Sequence, residues 1–350
     1  MSVLAPTYSW TIGKLTSSTE SPALGPGRIR VDRDMDVPAD AARLQLMERA
    51  GIALDDEVEI ALGHDGDNGM VFTGSVVSLR PALTGVEIHA LGTMSALLNL
   101  RTASVFEDET AGSIASSLIA RAGLSGGTVD EGPLLPRFIV DDRVSAFVHV
   151  KGLADRLGFE LYADRDGKIR FHALGGAKDL DAGALSAAVS AAGALVGAGG
   201  SEGYAFGQHL VLAEARRRPS AVGAVTVGGE SPMSGQGDTT AHWLTANDAS
   251  YRGSAGDGSP SLLVIDPVAR YKDLAERFAA GRLALAAREA HQIEVTVLGR
   301  NRVDLGDDIA LSDVPDALID GAGYIRAIRH RFDDVTGFVT DIRISLTATD

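Results

Sequence analysis

The residue types that could carry out a reaction are present but scattered. Gly-Gly-Ser-Glu-Gly at 199–203 matches the G-x-S-x-G form, in which a strand delivers a nucleophilic serine into a strained turn and a helix receives it. Here an Ala/Gly-rich run precedes Ser201 and a strand-like "YAFGQHLVL" follows, so the surroundings are not those of a nucleophile elbow. In a chain with 41 glycines a chance match is expected. The eight histidines form no HxH or HExxH pair, which leaves a histidine-based metal site without support. The adjacent acids Asp55/Asp56, Asp307/Asp308 and Asp333/Asp334 could act as general acid and base, but each pair lies beside glycine or at a strand boundary, as solvated turn residues do. Asp32, Asp34 and Asp36 have the alternation that opens a calcium loop. Val37 replaces the required glycine and Arg43 stands where the twelfth-position glutamate belongs, so a strand end with solvated acids is expected. Basic side chains cluster at Arg216, Arg217 and Arg218, and again at Arg326, Arg329 and Arg331 around His330. Guanidinium groups of this kind suit contacts with acidic partners. No organised reaction centre emerges, so no enzyme activity, metal or cofactor is expected.

The elements that must hold these residues follow from patterning. The chain has 350 residues, 45% hydrophobic and 23% charged, ordinary for a globular protein of two or three domains. Its net charge of −15 argues against a general nucleic-acid binder, because neutralising phosphates requires a surplus of Lys and Arg. The absence of cysteine removes thiol chemistry and disulfides. The start, "MSVLAPTYSWTIGK", has no basic segment followed by an apolar signal core. The uncharged run at 182–200 is rich in Gly and Ala, too weakly apolar to favour lipid, and is expected to be a linker rather than a membrane span.

Residues 1–100 are expected to form a first β-barrel, because 58–62, 69–79 and 85–91 alternate apolar and polar positions, with "GHDGDNG" as a hairpin turn. Residues 101–180 read as an α/β domain: a helix from Thr110 to Gly123, a second from Ser145 to Gly158, then a hairpin through "DRDG". Residues 181–265 are irregular, with strands within 207–230 and a long exposed loop at 231–260. Asp266 and Pro267 are placed as cap and first residue of a helix. That helix and the following strands, 266–350, are expected to complete a second barrel together with 207–230.

Three segments in this order resemble the phage late control gene D family, which includes the hub portion of VgrG spikes. The first is "VFTGSVVSL…GVEIHALGTMSALLNLRTASVFEDETAGSIASSLIARAGL". The second is "FVHVKGLADRLGFELYADRDGKIRFH", and the third runs from "VTVLGRNRVDLGDDIALSDV" to "IDGAGYIRAIRHRFDDVTGFVTDIRISL". The resemblance implies a mainly β fold, two similar β-barrel, tube-like domains flanking an α/β domain, assembled as a ring-shaped homotrimer. It implies a baseplate hub of a contractile tail or injection system that seats the hexameric inner tube on one face and the trimeric spike on the other. The implied partners are the inner tube protein, other baseplate proteins, and cargo or a tape-measure protein in the lumen. VgrG-type chains continue into a needle whereas this sequence stops at Asp350, so a separate spike protein is expected. Assembly in the bacterial cytoplasm and incorporation into a virion tail or injection particle follow from the same resemblance. Two other readings stay open: a cell-wall- or ester-acting hydrolase using Ser201 or paired carboxylates, and a carbohydrate-binding adhesin module. In the closing hairpin, strand geometry turns Ile328, His330 and Phe332 to one face and Arg329 and Arg331 to the other. His330 is therefore expected to be a packed barrel residue, and the arginines to be contacts for a neighbouring subunit or protein.

Overall fold

The computed structural model describes residues 4–48, 51–173, 201–229 and 251–346. The 182–200 run and positions 231–250 of the expected loop lie outside the described residues.

The N-terminal region is built from β1 (Pro6–Ile12), β2 (Leu15–Ser18), β3 (Pro26–Asp34), β4 (Ala41–Leu46), β5 (Glu57–His64), β6 (Asp67–Ala82) and β7 (Gly85–Gly92). The alternation in the sequence becomes alternating burial, strict along β7, because successive side chains leave a strand on opposite faces. His64 pairs with Asp67, so Asp65 and Gly66 form a two-residue turn, both with positive φ. That backbone matches the twist of the flanking strands. The inward residues, among them Trp10, Val31, Leu44, Ile60 and Ile88, make one apolar cluster.

The middle of the chain contributes α1 (Ser95–Asn99), β8 (Ser104–Thr110), α2 (Ala111–Arg121), β9 (Gly126–Val129), β10 (Leu134–Val140), α3 (Ala146–Leu157), β11 (Phe159–Ala163) and β12 (Ile169–Ala173). Thr110 caps α2 by accepting from the Ser113 amide at 3.1 Å. Gly158 ends α3 in the left-handed conformation, at φ 69°. The ribbon of β8 and β10 was not anticipated, because its acidic and proline-containing stretches lack clean alternation.

The remaining elements are β13 (Ser201–Ala205), β14 (Leu210–Arg217), β15 (Ala224–Gly229), β16 (Arg252–Gly256), β17 (Ser261–Asp266), α4 (Lys272–Arg288), β18 (His291–Leu298), β19 (Asp308–Ser312), β20 (Gly321–Asp333) and β21 (Gly337–Leu346). Three expectations change here. Residues 252–256, assigned to the exposed loop, form a strand that pairs antiparallel with β15. Helix α4 begins at Lys272 rather than Pro267, because the buried carboxylate of Asp266 closes β17 and accepts from Arg156 at 2.8 Å and Arg282 at 3.1 Å. Finally, α4 does not belong to the C-terminal β region. Leu274, Ala275 and Phe278 pack with Val225 and Val227 into the core of the middle region.

The fold is mainly β, with a curled half-barrel sheet. Its 13 strands run β14-β18-β21-β20-β3-β4-β7-β6-β5-β1-β2, with β19 on β20 and β13 on β19. The N- and C-terminal β regions are thus one continuous sheet, joined where β20 pairs antiparallel with β3. A separate cluster, including Tyr204, Val295, Ile309, Ile325 and Ile342, fills the C-terminal side. No helix among the described residues is long and apolar enough to cross a membrane.

Candidate functional site

The most concentrated chemistry lies where β20 changes partner. Its first half, Gly321–Tyr324, pairs with β19, and its second half, from Ala327 to Asp333, pairs with β3. Between them the register against β21 shifts, from Ile325 opposite Ile344 to Ala327 opposite Arg343. Arg326 is the residue left over. It lies on the inward face with Ile328, His330 and Phe332, and none of the residue is exposed.

Arg326 donates to Glu160 at 2.5 Å, to Asp36 at 2.5 Å and to the Tyr324 hydroxyl at 3.2 Å. Arg288, at the end of α4, donates to the same two carboxylates, each at 3.0 Å. Arg343 on β21 reaches Asp34 at 2.7 Å and the second oxygen of Asp36 at 2.9 Å. A second knot lies nearby. Arg33, buried on β3, donates to Asp40 at 3.0 Å, Asp304 at 2.7 Å and the Ala163 carbonyl at 3.0 Å. The Arg165 amide and Nε also donate to Asp304, at 3.0 and 3.3 Å. Both knots draw on the N-terminal strands, the middle hairpin and the C-terminal strands together.

Charge balance inside the knots follows from burial and partners. Burial raises the Asp36 carboxyl, but Arg326 and Arg288 outweigh it and hold the group below its usual value. Asp304 is likewise held down against burial by Arg33 and the Arg165 amide. Asp40 is pushed up because its burial outweighs Arg33. His330 is buried under Phe338 with its Nδ1 3.1 Å from the Thr340 hydroxyl; burial and then the Arg33 charge push its pKa down to about 3. The ring is neutral and structural.

The expected solvated acids of the 32–36 stretch are therefore arginine partners. Asp32 accepts from Arg30 and Arg329, each at 2.6 Å, while Asp34 and Asp36 belong to the Arg326 knot. Of the arginines singled out as contacts, Arg326 is committed inside the chain. Arg329 and Arg331 stand on the outer face, partly exposed and paired with Asp32 and Asp341. Arg216, Arg217 and Arg218 are exposed at the end of β14, the terminal strand of the sheet, with Arg218 held by Glu289 at 2.7 Å. Sequence reasoning missed Arg33, Glu160, Arg288 and Asp304, whose partners lie 128 to 271 positions away in some cases. The one visible signal was an arginine or acid at an inward strand position, where a charge needs a partner.

Ser201 opens β13, which pairs parallel with β19 from Asp308 onward; it is not delivered by a strand into a helix. Among the described residues, no three His, Asp or Glu side chains are grouped to hold a metal ion. What the arrangement does is fix three regions of the chain against one another through buried ion pairs.

This architecture, a half-barrel sheet made from both ends of the chain and locked to an α/β insert, is that of known tail proteins. No family model matches the sequence, and no curated protein does. Among solved structures, the 43 kDa tail protein of prophage MuSo2 from Shewanella oneidensis has 14% identity and a TM-score of 0.69, with 98% of each chain covered. A tail protein from Neisseria meningitidis has 15% identity and a TM-score of 0.68, covering 98% of this chain and 96% of that one. An Escherichia coli component of the type VI secretion system, itself similar to the bacteriophage T4 tail proteins gp27 and gp5, has 9% identity and a TM-score of 0.60, covering 97% of this chain and 77% of that one.

Proposed function

We propose that this protein is a structural component of a phage-type tail or a related injection apparatus, serving as the baseplate hub. In this reading three copies close a ring that adapts the hexameric inner tube to a trimeric central spike. The observation that supports it best is the end-to-end correspondence with the MuSo2 tail protein, which spans nearly the whole of both chains. The order of the three resembling segments points the same way. Other baseplate proteins would contact its rim, and cargo or a tape-measure protein would occupy the lumen. Assembly would take place in the bacterial cytoplasm, before incorporation into a tail baseplate or injection particle.

A hub works by surface recognition and closed symmetry, with apolar and charged area buried between subunits and no reaction of its own. The buried ion-pair knots suit that task, since they fix the relative placement of surfaces that must meet several partners at once. The test is mass and symmetry. Co-expressed with the tube and spike proteins of the same particle, the chain should purify as a threefold ring, by light scattering and electron microscopy. A chain that stays monomeric with both partners present overturns the reading. Ser201→Ala should leave assembly intact, and loss of an ester-cleaving activity in that variant would favour the hydrolase instead.

A further inference from the structure

The outer face of the sheet around the β3–β20 seam carries three rows of charge, set by strand register. One row reads Arg80, Glu87, Gln45, Arg28, Asp333 across β6, β7, β4, β3 and β20. Another, four residues along β3, contains Asp32, Arg329 and Asp341. In both, opposite charges face each other across strands, the arrangement that stabilises a sheet. The row between them does not alternate. It reads His89, Arg43, Arg30, Arg331, with each residue the direct partner of the next.

Like charges directly opposite one another destabilise a sheet, and this row opposes Arg43 to Arg30 and Arg30 to Arg331. Acids reach the row only from the rows beside it: Asp32 takes Arg30 and Glu87 takes His89 along a strand, and Asp341 takes Arg331 diagonally. Arg43 is exposed and forms no ion pair with any described residue. The Nε of Arg331 is buried and also without a hydrogen-bond partner among the described residues. The three arginines line a groove of about 700 Å³ with Arg28 and Arg80, five arginines against the two carboxylates Glu87 and Asp333. All this belongs to a chain of net charge −15.

We propose that this groove is a docking site for an acidic segment of a partner protein, whose carboxylates insert between Arg43, Arg30 and Arg331. Neighbouring strands present their side chains about 4.8 Å apart. Acidic side chains three or four positions apart on a helix are spaced at about 5–6 Å, so one helical face can meet successive arginines. Guanidinium forks donate paired hydrogen bonds to carboxylates, which would supply what Arg43 and the Arg331 Nε lack. The long-range field of a strongly acidic chain disfavours an extended phosphate backbone, whereas a short carboxylate segment engages the local charge. The inference stands without the hub reading.

The test uses the full chain, a labelled poly-glutamate peptide, and a DNA duplex of equal total charge as a second arm, read by fluorescence anisotropy. The peptide should bind more tightly than the duplex and weaken with added salt. Arg43→Glu should weaken peptide binding by about tenfold or more. The same variant should raise the melting temperature, because it places a carboxylate between Arg30 and His89. Arg137→Gln, an exposed arginine on the β8–β10 ribbon, should leave both measurements unchanged. Three results would overturn the proposal: no peptide binding, equal loss in Arg137→Gln, or tighter binding of the duplex, which would make the site one for nucleic acid. A lower melting temperature for Arg43→Glu would also overturn it, by removing the repulsion on which it rests.

Discussion

Arg326 shows how one residue can change meaning between sequence and structure. In "RAIRHRF" it is one of three arginines on a strand, and alternation sets it apart from Arg329 and Arg331, on the inward face with Ile328 and His330. What the sequence does not show is its partners: it shares Glu160 and Asp36 with Arg288. Removing one partner of a buried pair costs about 3–5 kcal/mol, mostly because the other charge is stranded. Arg326→Met should therefore destabilise the protein by about that much in urea unfolding, and adding Glu160→Gln should restore part of the loss. His330 offers a pH prediction. Its folded pKa of about 3 lies below the ordinary value of 6.5, so the unfolded chain binds more protons between these values. Stability contributed by the neutral ring is complete above the upper value and is lost as pH falls toward the lower one. Between pH 6.5 and about 4.5, His330→Gln should show a shallower fall of unfolding free energy than the wild type, measured by chemical denaturation across that range.

At the scale of elements, periodicity located most strands and all three long helices among the described residues, because each buries one face and the pattern of apolar residues states which. Where an element begins depended on contacts that periodicity does not carry. Asp266 looks like a helix cap until Arg156 and Arg282 claim its carboxylate. The glycine inside α4 is another case. A Cβ on Gly281 would come within 2.5 Å of the Gly158 nitrogen and the Leu157 carbonyl carbon, so the two helices meet backbone to backbone there. Alanine is the better helix former by about 1 kcal/mol, yet overpacking costs about 1–3 kcal/mol. Gly281→Ala should therefore lower stability by up to about 2 kcal/mol net, with the loss visible as a lower denaturant midpoint.

Across the whole molecule, the β3–β20 seam and the two knots make the distant ends of the chain depend on one another. Asp304 is the clearest link, because it joins Arg33 of the N-terminal strands to Arg165 of the middle hairpin. Asp304→Asn keeps the shape but removes the charge. Amide hydrogen exchange should then quicken together in 33–40 and 163–165 and stay unchanged in β15–β17, which form a sheet of their own. Exchange confined to one of the two segments would mean that Asp304 does not couple them. The hub reading belongs to this scale as well, since ring closure is a property of copies and not of residues.

The sequence by itself determined the mainly β character, the two terminal β regions around an α/β insert, the hairpin turns and the helix ends in the middle region. It could do so because strand alternation, caps and left-handed glycines are local and each leaves its mark within a few positions. Only the tertiary structure decided that the two β regions share one sheet, that α4 serves the middle core, and that Asp34 and Asp36 are partners of arginines some 290 to 309 positions away. Strand register made those decisions. Arg326 shares the inward face of Ile328, His330 and Phe332, but only the fold brings Glu160 and Asp36 to it, and pairing across β4, β3 and β20 aligned arginines that no stretch of the sequence shows side by side.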